Sequence, residues 1–306
     1  MNNKIFYKYR DMSDRTIEIL KNKKIWLAKP NTLNDPYECK IRAFTEEEYL
    51  KEKESTMINQ LMGFFMTFNH ALKNQEPIFG LRQKDVKSIL RRLKRTNSLE
   101  ERYDFANNIM EKKAGKAFSK PTDFIESVDY ILDNIGIFSL SEDPLNKLMW
   151  SHYSSSHQGI ALGFEVDDNS ILYNQKYFNN VKYTDEPLNF ELSNGRLVEI
   201  NYFYNDSGQL ESKGSLQIKD PELQKIFFTK TTEWAYEKEW RYIREKFGLY
   251  DYPGKLVRII FGLNCSESNI ESIISLCSEC FDYKIDFFKA VRVDHSIDLN
   301  LLSINS

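Results

Sequence analysis

The sequence is poor in the residues that mark several classes of protein. Its 306 residues include 12 glycines and 8 prolines, too few for a collagen-like or low-complexity chain. Four cysteines are too sparse for a disulfide scaffold. Cys277 and Cys280 form a C-x-x-C pair, but no second pair of ligands is spaced to complete a structural zinc site. We therefore interpret the cysteines as thiols that hold no metal.

Long apolar runs and an excess of one charge are also missing. Apolar stretches such as 64–68 fall far short of the roughly 20 residues that span a membrane. No apolar segment follows the first charges, as it would in a secretory signal. The 42 basic and 45 acidic residues leave a net charge of −3, so the chain as a whole has no attraction to nucleic acid. We expect a cytoplasmic protein without a membrane partner.

The chain does contain ample material for a packed core. Hydrophobic residues make up 41% of it, and it holds 21 phenylalanines and 17 tyrosines, which excludes disorder for most of the length. Neither a G-x-G-x-x-G nor a Walker motif is present, so classical dinucleotide and P-loop folds are excluded. Apolar periodicity predicts strands at 4–10, 25–29, 135–141, 159–166, 179–185, 239–245, 256–262 and 283–291, and helices at 144–153, 221–236 and 266–280.

Strand patterns cease between the predicted strands at 25–29 and 135–141. Thr45 and Glu48 form a capping box that opens a helical run, and helical spacing continues to about residue 132. The sequence therefore predicts an α+β protein with a central mixed or antiparallel β-core and short helices. That core domain comprises 1–43 and 133–306, and an all-helical insertion occupies 44–132.

The first predicted strand ends in a candidate ligand contact. Tyr9 and Arg10 lie at its end, where an arginine can clamp a phosphate or carboxylate through two hydrogen bonds. The alternative is a surface arginine paired with Asp11 or Asp14, because exposed ion pairs are common.

A second candidate is the polar turn after the strand at 25–29. Asn34 and Asp35 precede Pro36, which forces extended geometry on Asp35. With Glu38, they are placed to contact a ligand at a pocket rim. A purely structural turn explains the same residues equally well.

The segment 138–165 carries the densest set of functional residue types. Ser139 and Ser141 alternate on one face of a predicted strand. The helix that follows offers Trp150 and Tyr153, aromatic residues suited either to stacking on a planar ligand or to a core.

The histidines of this segment do not form a metal site. His152 and His157 are five residues apart, about 140° around a helix, so they cannot ligate as in H-E-x-x-H. His157, on the loop before Gly159, is a candidate hydrogen-bonding contact or a structural histidine. We expect no metal.

Two carboxylates lie close together near the carboxyl-terminal third. On a strand, Glu237 and Glu239 project to the same face, and like charges there are stable only with a cation or a developing positive charge between them. The alternatives are a solvated edge strand, with Lys238, Arg241 and Arg244 as partners, and a helix, on which the two carboxylates would diverge.

The helical insertion contains one strongly basic segment, 82–95. Its apolar residues fall on one face and its basic residues on the other. Arg91, Arg92 and Arg95 are therefore candidates for contact with nucleic acid, although a solvated helix face has the same composition.

Taken together, the motifs resemble a bacterial family known as domain of unknown function 2971. The matching stretches are 7–10, 25–38, 138–165, 181–185, 234–241 and 256–262, and the helical insertion matches nothing specific. The family name itself implies no activity.

A second, looser resemblance implies an activity. The order of an arginine, a Ser-x-Ser and a Glu-x-Glu on successive strands is similar to that of the arginine–serine–glutamate ADP-ribosyltransferases. The resemblance implies that NAD is a substrate, that Arg10 contacts it, that Ser139 and Ser141 shape its pocket, and that Glu237 and Glu239 are catalytic. Trp150 and Tyr153 would stack on nicotinamide or on a target base. In another alignment Asn34 and Asp35 line the pocket instead.

We therefore expect an NAD-dependent enzyme that modifies a protein or nucleic acid, as bacterial toxins and phage-defence effectors of this kind do. The alternatives are a hydrolase or nuclease that uses Asp35, Glu38 and His157, and a ligand-binding or sensor module without catalysis.

Overall fold

A computed structural model of the chain describes residues 4–41, 44–120, 122–167, 170, 172, 177–186, 188, 198–204, 210–296 and 298–304. The chain divides into two compact units. The first comprises residues 1–40, 132–189 and 223–306, and the second comprises residues 41–131 and 190–222.

The strands and helices are numbered in chain order. The strands are β1 (Lys4–Arg10), β2 (Lys24–Leu27), β3 (Gly136–Ser141), β4 (Ile160–Val166), β5 (Phe178–Asn180), β6 (Lys182–Tyr183), β7 (Val198–Tyr204), β8 (Leu210–Leu216), β9 (Thr229–Lys230), β10 (Glu239–Arg244), β11 (Gly248–Asp251), β12 (Lys255–Phe261), β13 (Asp286–Arg292) and β14 (Leu299–Ile304). The helices are α1 (Asp14–Asn22), α2 (Glu46–Lys73), α3 (Gln83–Arg95), α4 (Leu99–Ile109), α5 (Asp123–Asn134), α6 (Lys147–Tyr153), α7 (Pro221–Phe227) and α8 (Glu267–Cys280). Short 3₁₀ turns cover Pro30–Thr32 and Thr232–Glu237, and a π turn covers Met110–Ala114.

An eight-stranded sheet forms the first unit, in the order β14-β13-β12-β4-β1-β3-β10-β5. Neighbouring strands are antiparallel except β12 and β13, which are parallel. The prediction of an α+β protein with a mixed central β-core is therefore confirmed.

Alternation along β1 assigns its side chains to two different cores. Phe6 joins the larger core on one face, where α1 and α8 contribute Leu20 and Ile273. Tyr7 and Tyr9 point to the other face and pack with Trp150 of α6. The period of two therefore buries β1 on both sides, as expected for a central strand.

The pairing of β3 changes partner along its length. Tyr7 of β1 pairs with Ser141 at one end of β3, whereas Ile137 near the other end pairs with Ala28. Two backbone hydrogen bonds of 2.8 Å join Ala28 and Ile137. Residues that follow Ala28 are thereby brought alongside the gap between β1 and β3.

The second unit contains α2, α3, α4 and the antiparallel pair β7–β8. The predicted capping box is present, because Thr45 accepts from the Glu48 amide and Glu48 accepts from the Thr45 amide. Apolar faces of the three helices meet in a core that includes Met57, Phe68 and Leu93. Among the described residues, none of the helices has both the length and the apolar character needed to cross a membrane.

Two predicted elements differ from those observed. The helix predicted at 221–236 ends at Phe227, and Thr229–Lys230 instead forms β9 beside β6. The threonines at 229, 231 and 232 are β-branched and favour extended backbone over helix. The strand predicted at 179–185 is divided into β5 and β6, which pair with different partners. Strands β7, β8, β11 and β14 were not predicted.

Candidate active site

A cleft of about 250 Å³ opens where β1 and β3 separate, on the side of the sheet that carries α6. Beyond the Tyr7–Ser141 pair, the Lys8 ammonium spans the gap and donates to the Ser139 carbonyl at 2.9 Å. Thr32, Leu33 and Asn34 form part of the opposite wall. The change of partner along β3 is thus the structural origin of the cleft.

Glu237 and Glu239 both line this cleft, although they do not share a strand. Glu237 closes the 3₁₀ turn, Lys238 adopts left-handed backbone with φ 45°, and Glu239 begins β10. The sequence left open whether the two carboxylates share a strand or a helix; the structure shows neither, since only Glu239 lies in a strand. The left-handed backbone at Lys238 nevertheless brings both side chains to the cleft.

Glu237 is held by a tyrosine and a lysine. The Tyr153 hydroxyl donates to one carboxylate oxygen at 2.5 Å, and the Lys230 ammonium donates to the other at 2.8 Å. Asn34 in turn donates to the Tyr153 hydroxyl at 2.5 Å. Burial and the neighbouring Glu237 raise the pKa of Tyr153 well above its ordinary value, so Tyr153 stays protonated and remains a donor.

Glu239 is held by an arginine from the same strand. Arg241, which is fully buried, donates to its two carboxylate oxygens at 2.8 and 3.0 Å. Burial alone would raise the pKa of Glu239, but Arg241, Lys230 and Ser139 outweigh burial and lower it to about 2. Glu239 is consequently ionised at neutral pH despite being only 4% exposed.

A third carboxylate completes a buried ionic cluster. Glu38 contacts the Arg241 guanidinium, and the Lys230 ammonium lies 3.9 Å from Glu38 and 3.7 Å from Glu239. Burial raises the pKa of Glu38, with Arg241 and Lys230 opposing it. Two cations thus pair with three carboxylates in this cluster. Burying such charges lowers the stability of the fold unless each charge is compensated.

Lys8 is a further cation at the edge of this cluster. Burial and the nearby Arg10 lower the pKa of Lys8 to about 8, while Glu239 and Glu237 oppose the shift. Its ammonium therefore loses its charge within a pH unit or so of neutrality, which is unusual for a lysine.

Residues 149–242 match the family model described as Protein of unknown function (DUF2971). The matched segment runs from α6 to β10 and contains Tyr153, Lys230, Glu237, Glu239 and Arg241. The predicted resemblance to this family is supported over that segment. No curated protein and no solved structure matched the chain.

Seven of the predicted site residues line the cleft. Three of them, Tyr153, Glu237 and Glu239, lie within the DUF2971 segment. Ser139 precedes that segment and lies beside Glu239. Ser141 is buried, and its hydroxyl donates to the Glu237 carbonyl at 2.6 Å. The seven residues are Tyr9, Asn34, Ser139, Ser141, Tyr153, Glu237 and Glu239.

Three predicted contacts lie elsewhere. Arg10 is not a lining residue, and its Nε donates to the Thr16 hydroxyl at 3.2 Å. Trp150 is fully buried, lies edge-on to Tyr9 and donates to the Pro144 carbonyl, so it is a core residue rather than a stacking surface. His157 stacks on Trp150, with Nε2 3.2 Å from the Ser151 hydroxyl.

Asp35 and Glu38 line a second cleft, of about 210 Å³. Asp35 is buried and accepts a hydrogen bond of 2.9 Å from the Tyr37 amide, which is turn chemistry. His157 lines neither cleft, so the residues of the hydrolase alternative are not brought together. In the part of the chain that the structure describes, no three His, Cys, Asp or Glu side chains are arranged to hold a metal ion.

Lys8 and Lys230 were not predicted as site residues, and Arg241 was predicted only as a surface partner. A signal for Arg241 existed, because Glu239 and Arg241 are two apart on a predicted strand and therefore share a face. Lys230 carried no such signal, since it was predicted to lie within a helix.

Proposed function

We propose that the cleft is the active site of an enzyme that uses NAD to transfer ADP-ribose to a macromolecular acceptor. The observation that supports this proposal is the convergence of Glu237, Glu239 and Ser139 on one cleft. Cleavage between nicotinamide and ribose creates an oxocarbenium-like centre, and a fixed carboxylate stabilises that positive charge.

Glu239 is the carboxylate suited to this role. Arg241 keeps it ionised and fixes its orientation, so no reorganisation is needed as the positive charge develops. The bond from ribose C1′ to the nicotinamide nitrogen breaks, and its electron pair leaves with neutral nicotinamide. The acceptor then bonds to C1′ and releases a proton, for which Glu237 is the nearby carboxylate.

The volume and the cations of the cleft favour one part of NAD as its occupant. Ligand sites of drug size occupy about 300–1,000 Å³, so a cleft of about 250 Å³ suits the nicotinamide riboside half rather than the whole dinucleotide. Lys8 lines this cleft and Arg10 does not. We therefore assign the phosphate contact to Lys8.

The deciding experiment measures NAD binding, nicotinamide release and transfer of label from NAD in cell extract. We expect release and transfer with the wild type and a loss of about 100- to 1,000-fold with Glu239→Gln. Glu245→Gln is the matched control, because Glu245 directly follows β10 and its side chain is 57% exposed. Expression should arrest bacterial growth for the wild type and the control only. Absence of binding and of release, with and without extract, would exclude the proposal.

A ligand-binding module without catalysis is the second candidate. The observation that favours it is the pairing of both Glu239 oxygens with Arg241, which partly neutralises the carboxylate. This candidate predicts that NAD or a related nucleotide binds without nicotinamide release, and that Glu239→Gln alters affinity alone.

A further inference from the structure

Helix α3 presents a one-sided basic surface. Its residues Val86, Leu90 and Leu93 are buried in the core of the second unit. Six basic residues and one acidic residue make up its charges, whereas the whole chain carries a net charge of −3. The positive charge is therefore concentrated on this helix and not spread over the molecule.

Five of the basic residues form a continuous stripe. At 100° per residue they fall within an arc of about 100°, and at 1.5 Å per residue they extend over roughly 16 Å. All five are exposed, and none has a carboxylate partner within 4 Å among the described residues. The basic stripe consists of Lys84, Lys87, Arg91, Lys94 and Arg95.

Two other arginines near the helix are already engaged. Arg82, just before α3, pairs with Asp85 at 3.0 Å. The Arg92 guanidinium lies over the Phe105 ring, 4.0 Å from its centre, and falls outside the stripe. Arg92 is therefore not among the residues that we assign to the surface.

We infer that the basic stripe binds the phosphate backbone of nucleic acid. A duplex carries about one negative charge per 1.7 Å of its axis when both strands are counted, so a stripe of roughly 16 Å faces a dense array of phosphates. Lysine and arginine contacts of this kind supply affinity without sequence preference.

An anionic membrane is the main competing partner. Helices that bind membrane surfaces insert an apolar face between the lipids, but the apolar face of α3 is buried in the unit's own core. Charge is then all that the helix offers, and a polyanion with regularly spaced phosphates is the better match.

This inference is independent of the proposed NAD chemistry, because it depends on the second unit alone and is measured without NAD. If both proposals hold, nucleic acid is the natural candidate for the acceptor. Failure of either experiment leaves the other informative.

The test measures binding of the full chain to a fluorescein-labelled 20-base-pair DNA duplex and a 20-nucleotide RNA by anisotropy, from 50 to 300 mM KCl. We expect binding whose logarithm falls linearly with the logarithm of salt. In the triple variant Lys87→Gln, Arg91→Gln and Arg95→Gln, affinity at 100 mM KCl should fall at least tenfold. The salt slope should decrease by about 3.

The matched control removes three exposed cations from the same unit outside the stripe, by Lys73→Gln, Lys112→Gln and Lys113→Gln. It should bind within twofold of wild type. The double variant Lys84→Gln and Lys94→Gln tests the stripe with separate substitutions, and circular dichroism verifies folding of each variant. Three results would overturn the inference: no binding at 50 mM KCl, equal losses in the stripe and control variants, or binding to phosphatidylserine vesicles but not to either nucleic acid.

Discussion

At the scale of single residues, Arg241 determines the charge of Glu239 in the cleft. A buried glutamate normally protonates to avoid desolvation, yet the two hydrogen bonds from Arg241 keep Glu239 ionised. Arg241 also donates to the Phe227 carbonyl at 2.8 Å and contacts Glu38. Its fork of donors, which lysine lacks, is what allows one side chain to orient three acceptors at once.

The lowered pKa of Lys8 predicts that the proposed binding of NAD depends on pH. Because its pKa is lowered to about 8, its positive charge is present at pH 7 and is lost as the pH rises through 8. Affinity for NAD should therefore decrease several-fold between pH 7 and pH 9, as measured by calorimetry. Lys8→Met should bind more weakly at pH 7 and show little change with pH. Lys4→Met, at the exposed start of the same strand, should behave as wild type. If the affinity of Lys8→Met fell between pH 7 and pH 9 as much as that of wild type, the assignment would be contradicted.

At the scale of elements, the approach of β4 to β1 depends on a glycine. A Cβ added at Gly159 would lie 2.0 Å from the Arg10 carbonyl oxygen. The clash is with backbone at the end of β1, so neither partner can rotate away. Displacement there would move Lys8 and Tyr9, which line the cleft.

Gly159→Ala should consequently destabilise the first unit by about 3 kcal/mol. All four tryptophans lie in that unit, so urea unfolding followed by tryptophan fluorescence reports on it selectively. The control is Gly63→Ala in α2, where an added Cβ meets nothing within 4 Å. That change should stabilise the second unit by up to about 1 kcal/mol, as followed by helical circular dichroism. Equal stability of Gly159→Ala and wild type would disprove the packing argument.

Elements with a strong local pattern were predictable, and those that depend on distant partners were not. Helix α2 carries its own capping box, and β1 and β3 are short runs rich in apolar and aromatic residues, so sequence alone located them. Strand β9 has two residues and exists because β6 lies beside it. The cleft follows the same rule: Ser139, Glu237 and Glu239 were recognisable as chemical types, but the separation of β1 from β3 arises from a pairing between Ala28 and Ile137.

At the scale of the whole molecule, the buried ionic cluster joins segments that are far apart in the chain. Glu38 follows the polar turn, Lys230 lies in β9, and Glu239 and Arg241 lie in β10. Ionic clusters of this kind add specificity in some proteins, while their net contribution to stability is small or unfavourable. Their clearest signature is a dependence of stability on pH, because each shifted pKa is linked to folding.

Glu239 should make the first unit sensitive to acid. Its folded pKa of about 2 lies below the ordinary 4.5, so its contribution is fully present above pH 4.5 and is lost as the pH falls toward 2. Glu38, whose pKa is raised, acts in the opposite direction, with stability lost as the pH rises.

We expect the difference in unfolding free energy between wild type and Glu239→Gln to be constant above pH 5. Below that, it should shrink by about 3 kcal/mol toward pH 2. Urea unfolding followed by tryptophan fluorescence at each pH measures this difference, with Glu245→Gln as the exposed control that should show no such change. An equal difference at pH 7 and pH 3 would mean that Arg241 does not hold Glu239 ionised, and the role proposed for that carboxylate in the cleft would fail with it.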